Sequence, residues 1–344
     1  MTAPANEKPN ELPPQIQMIQ FITGFWMSRA LWVAAKLGIA DLLQSGPKTV
    51  AELAEATSTH APSLYRIMRA LTSAGIFHRT DDDRFDLTPL SETLITGVPG
   101  SVRWFIVSEL GQEHYPAWGN LMHSVKTGEI AFDSHYAQDV WKYFADHPED
   151  GAVFNESMSV MTAAANEAIT SVYDFSEFGK VIDIGGGHGG LITSILKKNP
   201  DVKGLLFDAP VVIEGARPKL ESAGVADRCE TVAGDFFQAV PEGGDAYIMK
   251  WIIHDWEDQK AITILKNCRQ HMQPNARLIV VDCVVPENDV PDFSKTFDLN
   301  MMVMTGGKER TRAEFEQLLA AAGFKLLRVI QTDMPTCIVE AQPI

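Results

Sequence analysis

Residues 181–190 read Val-Ile-Asp-Ile-Gly-Gly-Gly-His-Gly-Gly, a mostly apolar stretch followed by a run rich in glycine. The apolar part is typical of a buried strand, and the glycines are typical of a tight turn that opens a helix. In an open parallel sheet, ligands bind where such strands end, and glycine lets the backbone approach the ligand closely. The segment therefore predicts a cofactor site at one edge of a sheet.

The chain that follows this loop alternates strands with helices, a pattern typical of a parallel sheet with crossover connections. We expect seven strands, at residues 181–184, 204–207, 229–233, 246–250, 277–282, 325–331 and 336–341. The fold class is therefore α/β, and residues 174–344 are expected to form a Rossmann-like, seven-stranded domain.

The preceding half of the chain is expected to be mostly helical. Residues 15–100 have the pattern of a winged helix, in which Thr49 and Glu52 form a capping box. A hairpin is expected from residues 75–77 and 84–87, on either side of three aspartates. Residues 101–173 form a predicted helical linker that is rich in aromatic side chains, and residues 1–14 form a predicted flexible arm.

Composition narrows the possible partners and location. The chain carries 45 acidic and 29 basic residues, a formal net charge of −16, which repels phosphates and anionic membranes. We therefore expect neither nucleic acid nor a membrane as a partner, although a winged helix leaves a DNA-binding regulator as an alternative. Four cysteines lack metal or redox spacing, and no leader or membrane span is evident, which predicts no metal site and a cytoplasmic location.

Three further strand ends carry side chains suited to a nucleotide. Asp208 ends the second strand, where a carboxylate can accept hydrogen bonds from two ribose hydroxyls. Asp235 and Phe236 end the third strand and offer one acceptor and one aromatic ring, which is what an adenine needs. Lys250 and His254 follow at the fourth strand, so both are predicted to lie beside the same crevice.

The glycine loop alone leaves the cofactor open. Gly185, Gly187 and Gly190 fit a dinucleotide pattern, which would make the chain a nicotinamide-dependent oxidoreductase. Asp183, Gly185, Gly187 and Gly189 instead fit a methyltransferase pattern, which implies S-adenosylmethionine. The oxidoreductase alternative leaves the side chains at the third and fourth strand ends unexplained.

Taken together, the motifs resemble the caffeate and hydroxy-aromatic O-methyltransferases of secondary metabolism over essentially the whole chain. The motifs are the glycine loop, Phe207-Asp208-Ala209-Pro210, Gly234-Asp235-Phe236, Lys250-Trp251-x-x-His254-Asp255-Trp256 and Gly306-Gly307-Lys308-Glu309-Arg310-Thr311. The resemblance implies S-adenosylmethionine as cofactor, a small aromatic hydroxyl acceptor and a homodimer built on the winged-helix domain. A relative diverted to non-methyl chemistry is a further alternative.

The resemblance also implies roles for individual residues. The cofactor-binding set is Asp183, Gly185, Gly187, Asp208, Ala209, Asp235, Phe236, Lys250 and Trp251. His254 is expected to be the general base, with Asp282 and Glu309 as the two acids that flank it, although the family usually has glutamate where Asp282 stands. Met158, Met161 and Met301 are expected to line the acceptor pocket, because flexible thioethers adapt to flat ligands.

Overall fold

The computed structural model describes residues 12–344, so the predicted arm at residues 1–14 lies almost wholly outside the described part. The described residues divide into two compact units. One includes the chain up to Glu113 together with Ala152–Ser157, and the other includes His114–Gly151 and Met158–Ile344. Among the described residues, no helix has both the length and the apolar character needed to cross a bilayer.

The first unit is mainly helical, with one short hairpin. Its elements are α1 (Pro14–Leu37), α2 (Ile39–Leu43), α3 (Val50–Thr57), α4 (Ala61–Ser73), β1 (His78–Arg79), β2 (Phe85–Asp86), α5 (Pro89–Glu92) and α6 (Arg103–Glu109). The capping box at α3 is confirmed, since the Glu52 amide donates to Thr49 Oγ1 and the Thr49 amide donates to Glu52 Oε2.

The hairpin of the predicted wing is shorter than expected and begins later. Strand β1 pairs antiparallel with β2, whereas residues 75–77 form no strand. Gly75 and Ile76 instead close the end of α4, where their amides donate to the carbonyls of Thr72 and Leu71. A helix must satisfy its last carbonyls, and this requirement overrides the apolar pattern of the segment.

The first half of α1 is exposed on most of its sides and carries many apolar side chains. The exposed side chains include Phe21, which is 82% accessible, and Trp26, which is 61% accessible. Ile16, Ile19, Ile22 and Phe25 of the same helix are also exposed. An apolar surface this extensive marks an interaction site.

The second unit begins with short helices and one long helix, and then alternates strands with helices. The first group is α7 (His114–Gly119), α8 (Leu121–Thr127), α9 (Ala131–Tyr136), α10 (Val140–Asp146) and α11 (Pro148–Val172), whose residues 152–157 belong to the first unit. The second group is β3 (Lys180–Ile184), α12 (Gly190–Lys198), β4 (Lys203–Asp208), α13 (Pro210–Ser222), β5 (Cys229–Ala233), β6 (Ala246–Lys250), α14 (Asp258–His271), β7 (Arg277–Val285), α15 (Phe293–Met304), β8 (Arg310–Thr311), α16 (Arg312–Ala321), β9 (Phe324–Gln331) and β10 (Thr336–Pro343).

The seven predicted strands are confirmed, and they lie in the order β5-β4-β3-β6-β7-β10-β9. The first five are parallel, while β10 runs antiparallel to both of its neighbours. The chain order reverses between β3 and β6, and such a switch point opens a crevice at the carboxyl ends of the strands. An eighth strand, β8, was not predicted and pairs through two residues with the end of β7.

Both faces of this sheet are covered by apolar side chains. Leu278 and Val280 of β7 pack into the core on one face, and Ile279 and Val281 pack into the core on the other. Successive residues of a strand point to opposite faces, so a central strand covered on both sides reads as a continuous apolar run. The rigid sheet fixes the positions of the loops at its carboxyl edge.

Candidate active site

The glycines after β3 differ in what surrounds them. A Cβ on Gly185 would lie 2.6 Å from Ile252 Cδ1, and one on Gly186 would lie 2.5 Å from Asp183 Cγ. A Cβ on Gly187 would meet no heavy atom of the described chain within 4 Å. Packing within the protein therefore requires the first two glycines, while the backbone at Gly187 faces open space that a ligand can fill.

Asp208 shapes this loop from the end of β4. Its Oδ2 accepts a hydrogen bond of 2.8 Å from the Gly187 amide, and its Oδ1 accepts one of 2.7 Å from the Ala209 amide. A carboxylate oxygen can accept more than one hydrogen bond. Asp208 can therefore hold the loop and still accept from the hydroxyls of a ribose placed against Gly187.

The predicted adenine pair lies next to the same loop. Phe236 Cε1 would be 3.7 Å from a Cβ on Gly185, so Phe236 and Ile252 both pack near this glycine. The Phe236 carbonyl accepts from Asn267 Nδ2 at 2.8 Å, which fixes the backbone behind the ring. Ile252 was not predicted as a site residue. The available sequence signal was its position as an apolar residue two places before His254.

Asp235 already uses both carboxylate oxygens within its own turn. Its Oδ1 accepts from the Phe237 amide at 2.8 Å, and its Oδ2 accepts from Gln238 Nε2 at 3.3 Å. The Gln238 side chain is exposed. A ligand amino group can therefore replace Gln238 as the donor to Asp235 Oδ2, while the Phe237 amide still donates to Asp235 Oδ1.

A buried polar group lies where α11 approaches the sheet. Lys250 Nζ donates to Thr162 Oγ1 at 3.1 Å and lies 3.8 Å from the centroid of the Trp251 ring. Burial lowers the pKa of Lys250 to about 8 and raises that of Asp183 to about 7, although the two charges attract each other. Burying charges without full compensation disfavours their ionised forms.

Two oxygens of this group have no hydrogen-bond partner among the described residues: Asn166 Oδ1 and Asp183 Oδ2. Both residues are more than nine-tenths buried. Thr162 and Asn166 are one helical turn apart and meet the glycine loop, since a Cβ on Gly190 would lie 3.1 Å from Asn166 Nδ2 and 3.3 Å from Thr162 Cγ2. No sequence pattern indicated a role for these α11 residues, because helical periodicity does not show which sheet edge a helix covers.

Trp251 has an unusual backbone conformation. Its φ is +57°, a left-handed value that bulky residues rarely adopt. Its amide donates to the Val281 carbonyl at 2.9 Å, and its Nε1 donates to Thr336 Oγ1 at 3.3 Å. The left-handed residue ends β6 abruptly and directs the following residues toward the crevice.

His188 in the glycine loop faces α13. Its Nδ1 lies 3.0 Å from Lys219 Nζ, and its Nε2 would be 2.9 Å from a Cβ on Gly215. Burial and the neighbouring Lys219 lower the pKa of His188. A neutral imidazole that accepts from Lys219 joins the loop to α13.

His254 occupies a three-residue 3₁₀ turn, Ile253–Asp255, directly after β6. Its side chain is 8% exposed, and its Nδ1 lies 2.7 Å from Glu309 Oε1. Because the carboxylate accepts a hydrogen bond, Nδ1 carries the proton in the neutral ring and Nε2 keeps its lone pair. This arrangement suits a base that accepts a proton at Nε2.

Asp282 and Asp255 add negative charge around the same imidazole. Burial lowers the pKa of His254, but the carboxylates of Glu309, Asp282 and Asp255 outweigh burial and raise it to about 10. Both oxygens of Asp282 are buried and have no hydrogen-bond partner among the described residues, and burial raises its pKa to about 7. Asp282 therefore acts on His254 through charge, whereas Glu309 also orients the ring.

The predicted pocket methionines lie on two helices. Met158 and Met161 are half-buried on α11, and Met301 is buried on α15. Helix α15 also carries Asn300 and Asp298. Asn300 Oδ1 accepts from Trp118 Nε1 at 2.8 Å, and Asp298 Oδ1 accepts from the Glu309 amide at 2.8 Å. Helix α15 is thus tied directly to the residue that orients His254.

Comparison with protein families gives two matches. Residues 118–325 match an O-methyltransferase domain, and residues 19–97 match an O-methyltransferase dimerisation domain. Among curated proteins, the chain is 45% identical to the phenazine O-methyltransferase PhzM of Lysobacter antibioticus, covering 98% of this chain and 99% of that protein.

Two other relatives show the breadth of the group. The chain is 37% identical to the mitomycin biosynthesis 6-O-methyltransferase of Streptomyces lavendulae, over 89% of this chain and 88% of that protein. It is 31% identical to the phenazine-1-carboxylate N-methyltransferase of Pseudomonas aeruginosa, over 94% of this chain and 96% of that protein.

Solved structures agree with these relatives. LaPhzM superposes with a TM-score of 0.90 at 45% identity, covering 97% of this chain and all of that chain. An O-methyltransferase of neocarzinostatin biosynthesis, crystallised with S-adenosylmethionine and 2-hydroxy-5-methyl naphthoic acid, superposes with a TM-score of 0.81 at 30% identity over 92% and 96%. The chain therefore belongs to the S-adenosylmethionine-dependent O-methyltransferases that act on aromatic substrates.

Proposed function

We propose that this enzyme methylates a hydroxyl of a small aromatic acceptor and that His254 is its general base. The observation that carries the proposal is the contact between His254 Nδ1 and Glu309 Oε1, which leaves Nε2 as the proton acceptor. S-adenosylmethionine supplies a methyl group bound to a positively charged sulfur. A neutral hydroxyl is a weak nucleophile, so a positioned base that accepts its proton accelerates the transfer.

The residues of the crevice fit this cofactor. The open backbone at Gly187 and the carboxylate of Asp208 suit the ribose, while Phe236 and Ile252 suit the adenine ring. The unpartnered oxygens of Asn166 and Asp183 suit donor groups such as an ammonium. We assign Gly185, Ala209, Asp235, Lys250 and Trp251 to the same site.

His254 and its acidic neighbours handle the proton. As the acceptor oxygen bonds to the methyl carbon and the carbon–sulfur bond breaks, the hydroxyl proton passes to His254 Nε2. The carboxylates of Glu309 and Asp282 stabilise the resulting imidazolium. General-base help contributes about 10²- to 10⁴-fold, and in-line positioning contributes up to roughly 7–11 kcal/mol.

The acceptor is proposed to be a fused or substituted aromatic ring with a free hydroxyl. The names of the relatives support this class, since they include a phenazine and a mitomycin O-methyltransferase. Met158, Met161 and Met301 are the proposed lining residues, because thioethers adapt to flat rings. A cytoplasmic location is consistent with this small-molecule chemistry.

The proposed domain organisation follows the prediction. Residues 15–100 would form the dimerisation domain, residues 101–173 the linker and acceptor-lining region, and residues 174–344 the cofactor-binding domain. The exposed apolar side chains of α1 and the family match at residues 19–97 support a homodimer.

One assay tests both the acceptor class and the atom that is methylated. The full-length enzyme would be incubated with methyl-labelled S-adenosylmethionine and matched pairs of hydroxy and amino derivatives of phenazine and naphthoate. We expect label on the oxygen of the hydroxy compounds. Transfer to nitrogen alone, as the name of the Pseudomonas relative describes, or to none of the compounds would contradict the proposal.

A further inference from the structure

The turn that carries His254 is too short to satisfy its own backbone. A 3₁₀ turn of three residues satisfies few of its own carbonyl groups, and here the Trp256 amide donates to the Ile253 carbonyl at 3.3 Å. Further donors come from Lys308 and Arg310. The Lys308 amide donates to the His254 carbonyl at 2.9 Å, and Arg310 donates to the carbonyls of Ile253 at 3.1 Å and Trp256 at 2.9 Å.

Arg310 is fully buried, which is unusual for a guanidinium. Its Nε and Nη2 both contact Asp258 Oδ1, at 3.1 and 2.9 Å, so its charge is paired. The planar fork reaches carbonyls on both sides of His254 and a carboxylate at the start of α14 at the same time. A lysine ammonium has the charge but lacks this fixed geometry.

Gly307 brings the same segment very close to the turn. A Cβ at this position would lie 1.9 Å from the His254 carbonyl oxygen and 2.6 Å from the Asp255 carbonyl carbon. The next residue but one, Glu309, holds the imidazole itself. One stretch of chain therefore holds both the backbone and the ring of His254.

We propose that Arg310 is a positioning residue that acts through His254. It fixes the backbone of the turn so that Nε2 stays at a constant place relative to the acceptor oxygen. The proposal rests on the general-base function of His254. A mutation far from the reacting atoms that misplaces a catalytic group by about 1 Å can lower a rate about a hundredfold, so loosening this turn should slow catalysis.

The test is a double-mutant cycle with Arg310→Lys and His254→Ala in the full-length enzyme. We expect Arg310→Lys to lower kcat about tenfold or more, while the KM for S-adenosylmethionine changes less than about twofold. In the His254→Ala background the same change should alter kcat less than about twofold, because residues that act as a unit are not additive. An equal loss in both backgrounds would overturn the proposal.

Arg328→Lys is the matched control, because Arg328 also forms an ion pair, with Glu340 at 2.5 Å, on β9 and β10. We expect it to leave kcat unchanged. The general-base function of His254 is tested separately by the single variant His254→Ala, whose unchanged kcat would contradict that function.

A second variant covers the case in which Arg310→Lys does not fold. Gly307→Ala pushes against the His254 carbonyl without removing a charge, and it should lower kcat in the same His254-dependent way. Gly119→Ala is its control, because Gly119 is exposed on α7 and a Cβ there meets no described atom within 4 Å. Full activity of a folded Gly307→Ala enzyme would also overturn the proposal.

Discussion

The imidazole of His254 and the carboxylate of Glu309 lie 2.7 Å apart, although 55 residues separate them in the chain. The two residues reach each other because β6 and β7 are parallel neighbours and β8 pairs with the end of β7. All three strands therefore bring residues to the same edge.

Replacing His254 by alanine should lower kcat about 10²- to 10⁴-fold and leave cofactor binding nearly unchanged, because the imidazole handles only the proton. Steady-state kinetics and calorimetry with S-adenosylhomocysteine measure the two effects. His123→Ala is the control, since His123 also pairs with a glutamate, Glu129 at 3.0 Å, on the protein surface. Unchanged turnover would remove His254 from the mechanism.

The pH dependence of kcat should reflect the raised pKa of His254. A general base must be neutral to accept a proton, and acidic neighbours raise this pKa to about 10, so kcat should increase with pH well above the ordinary value near 6.5. In Glu309→Gln the rise should move to lower pH, because one of the charges that hold the proton is gone.

Two acceptors with different hydroxyl pKa values separate the titration of His254 from that of the acceptor. An apparent pKa in the kcat profile that changes with the acceptor reports titration of the acceptor hydroxyl. An apparent pKa that changes only in Glu309→Gln reports titration of His254. A profile that is identical in wild type and Glu309→Gln would contradict the assignment.

Asp208→Asn should weaken binding of S-adenosylhomocysteine about ten- to hundredfold, because a hydrogen bond to a charged group contributes about 1.5–3 kcal/mol. Asp245→Asn is a close control. Asp245 also accepts from two backbone amides, those of Gly179 and Lys180, but it lies before β6, at the opposite edge of the sheet. Calorimetry that finds equal affinity for both variants would argue against a ribose contact.

Phe21→Asp should shift the enzyme from dimer to monomer, because it places a charge among the exposed apolar side chains of α1. Sedimentation equilibrium at micromolar concentration measures the change. Val211→Asp serves as the control, since Val211 is 76% exposed on α13. An unchanged dimer in the Phe21 variant would place the interface elsewhere.

Much of the sheet could be predicted because central strands must be apolar on both faces. The bounds of β6, a central strand, agree with prediction because turn residues enclose its apolar run. The bounds of β5 also agree, although β5 lies at the edge of the sheet and carries Glu230. Strand β8 was missed because two residues carry no periodicity. The individual short helices between residues 114 and 146 were also not predicted, because their aromatic side chains fit buried helices and buried loops equally well.

The site residues that could be predicted are those that lie within a recognisable sequence motif. The structure brings Glu309 to His254, which the resemblance implied, but it gives Asp282 no hydrogen bond to the ring. Thr162, Asn166 and Arg310 could not be assigned in advance. Their importance arises from contacts across long sequence separations, and a single sequence contains no record of those contacts.

The left-handed backbone of Trp251 has a consequence for engineering this enzyme. A non-glycine residue in that region stores about 1–3 kcal/mol of strain, and glycine at position 251 would release it. The same change would remove the ring that Lys250 contacts and that joins β6 to Thr336. Truncating a packed tryptophan typically costs about 3–5 kcal/mol, which exceeds this strain, so a screen for heat resistance and a screen for turnover should both retain tryptophan at this position.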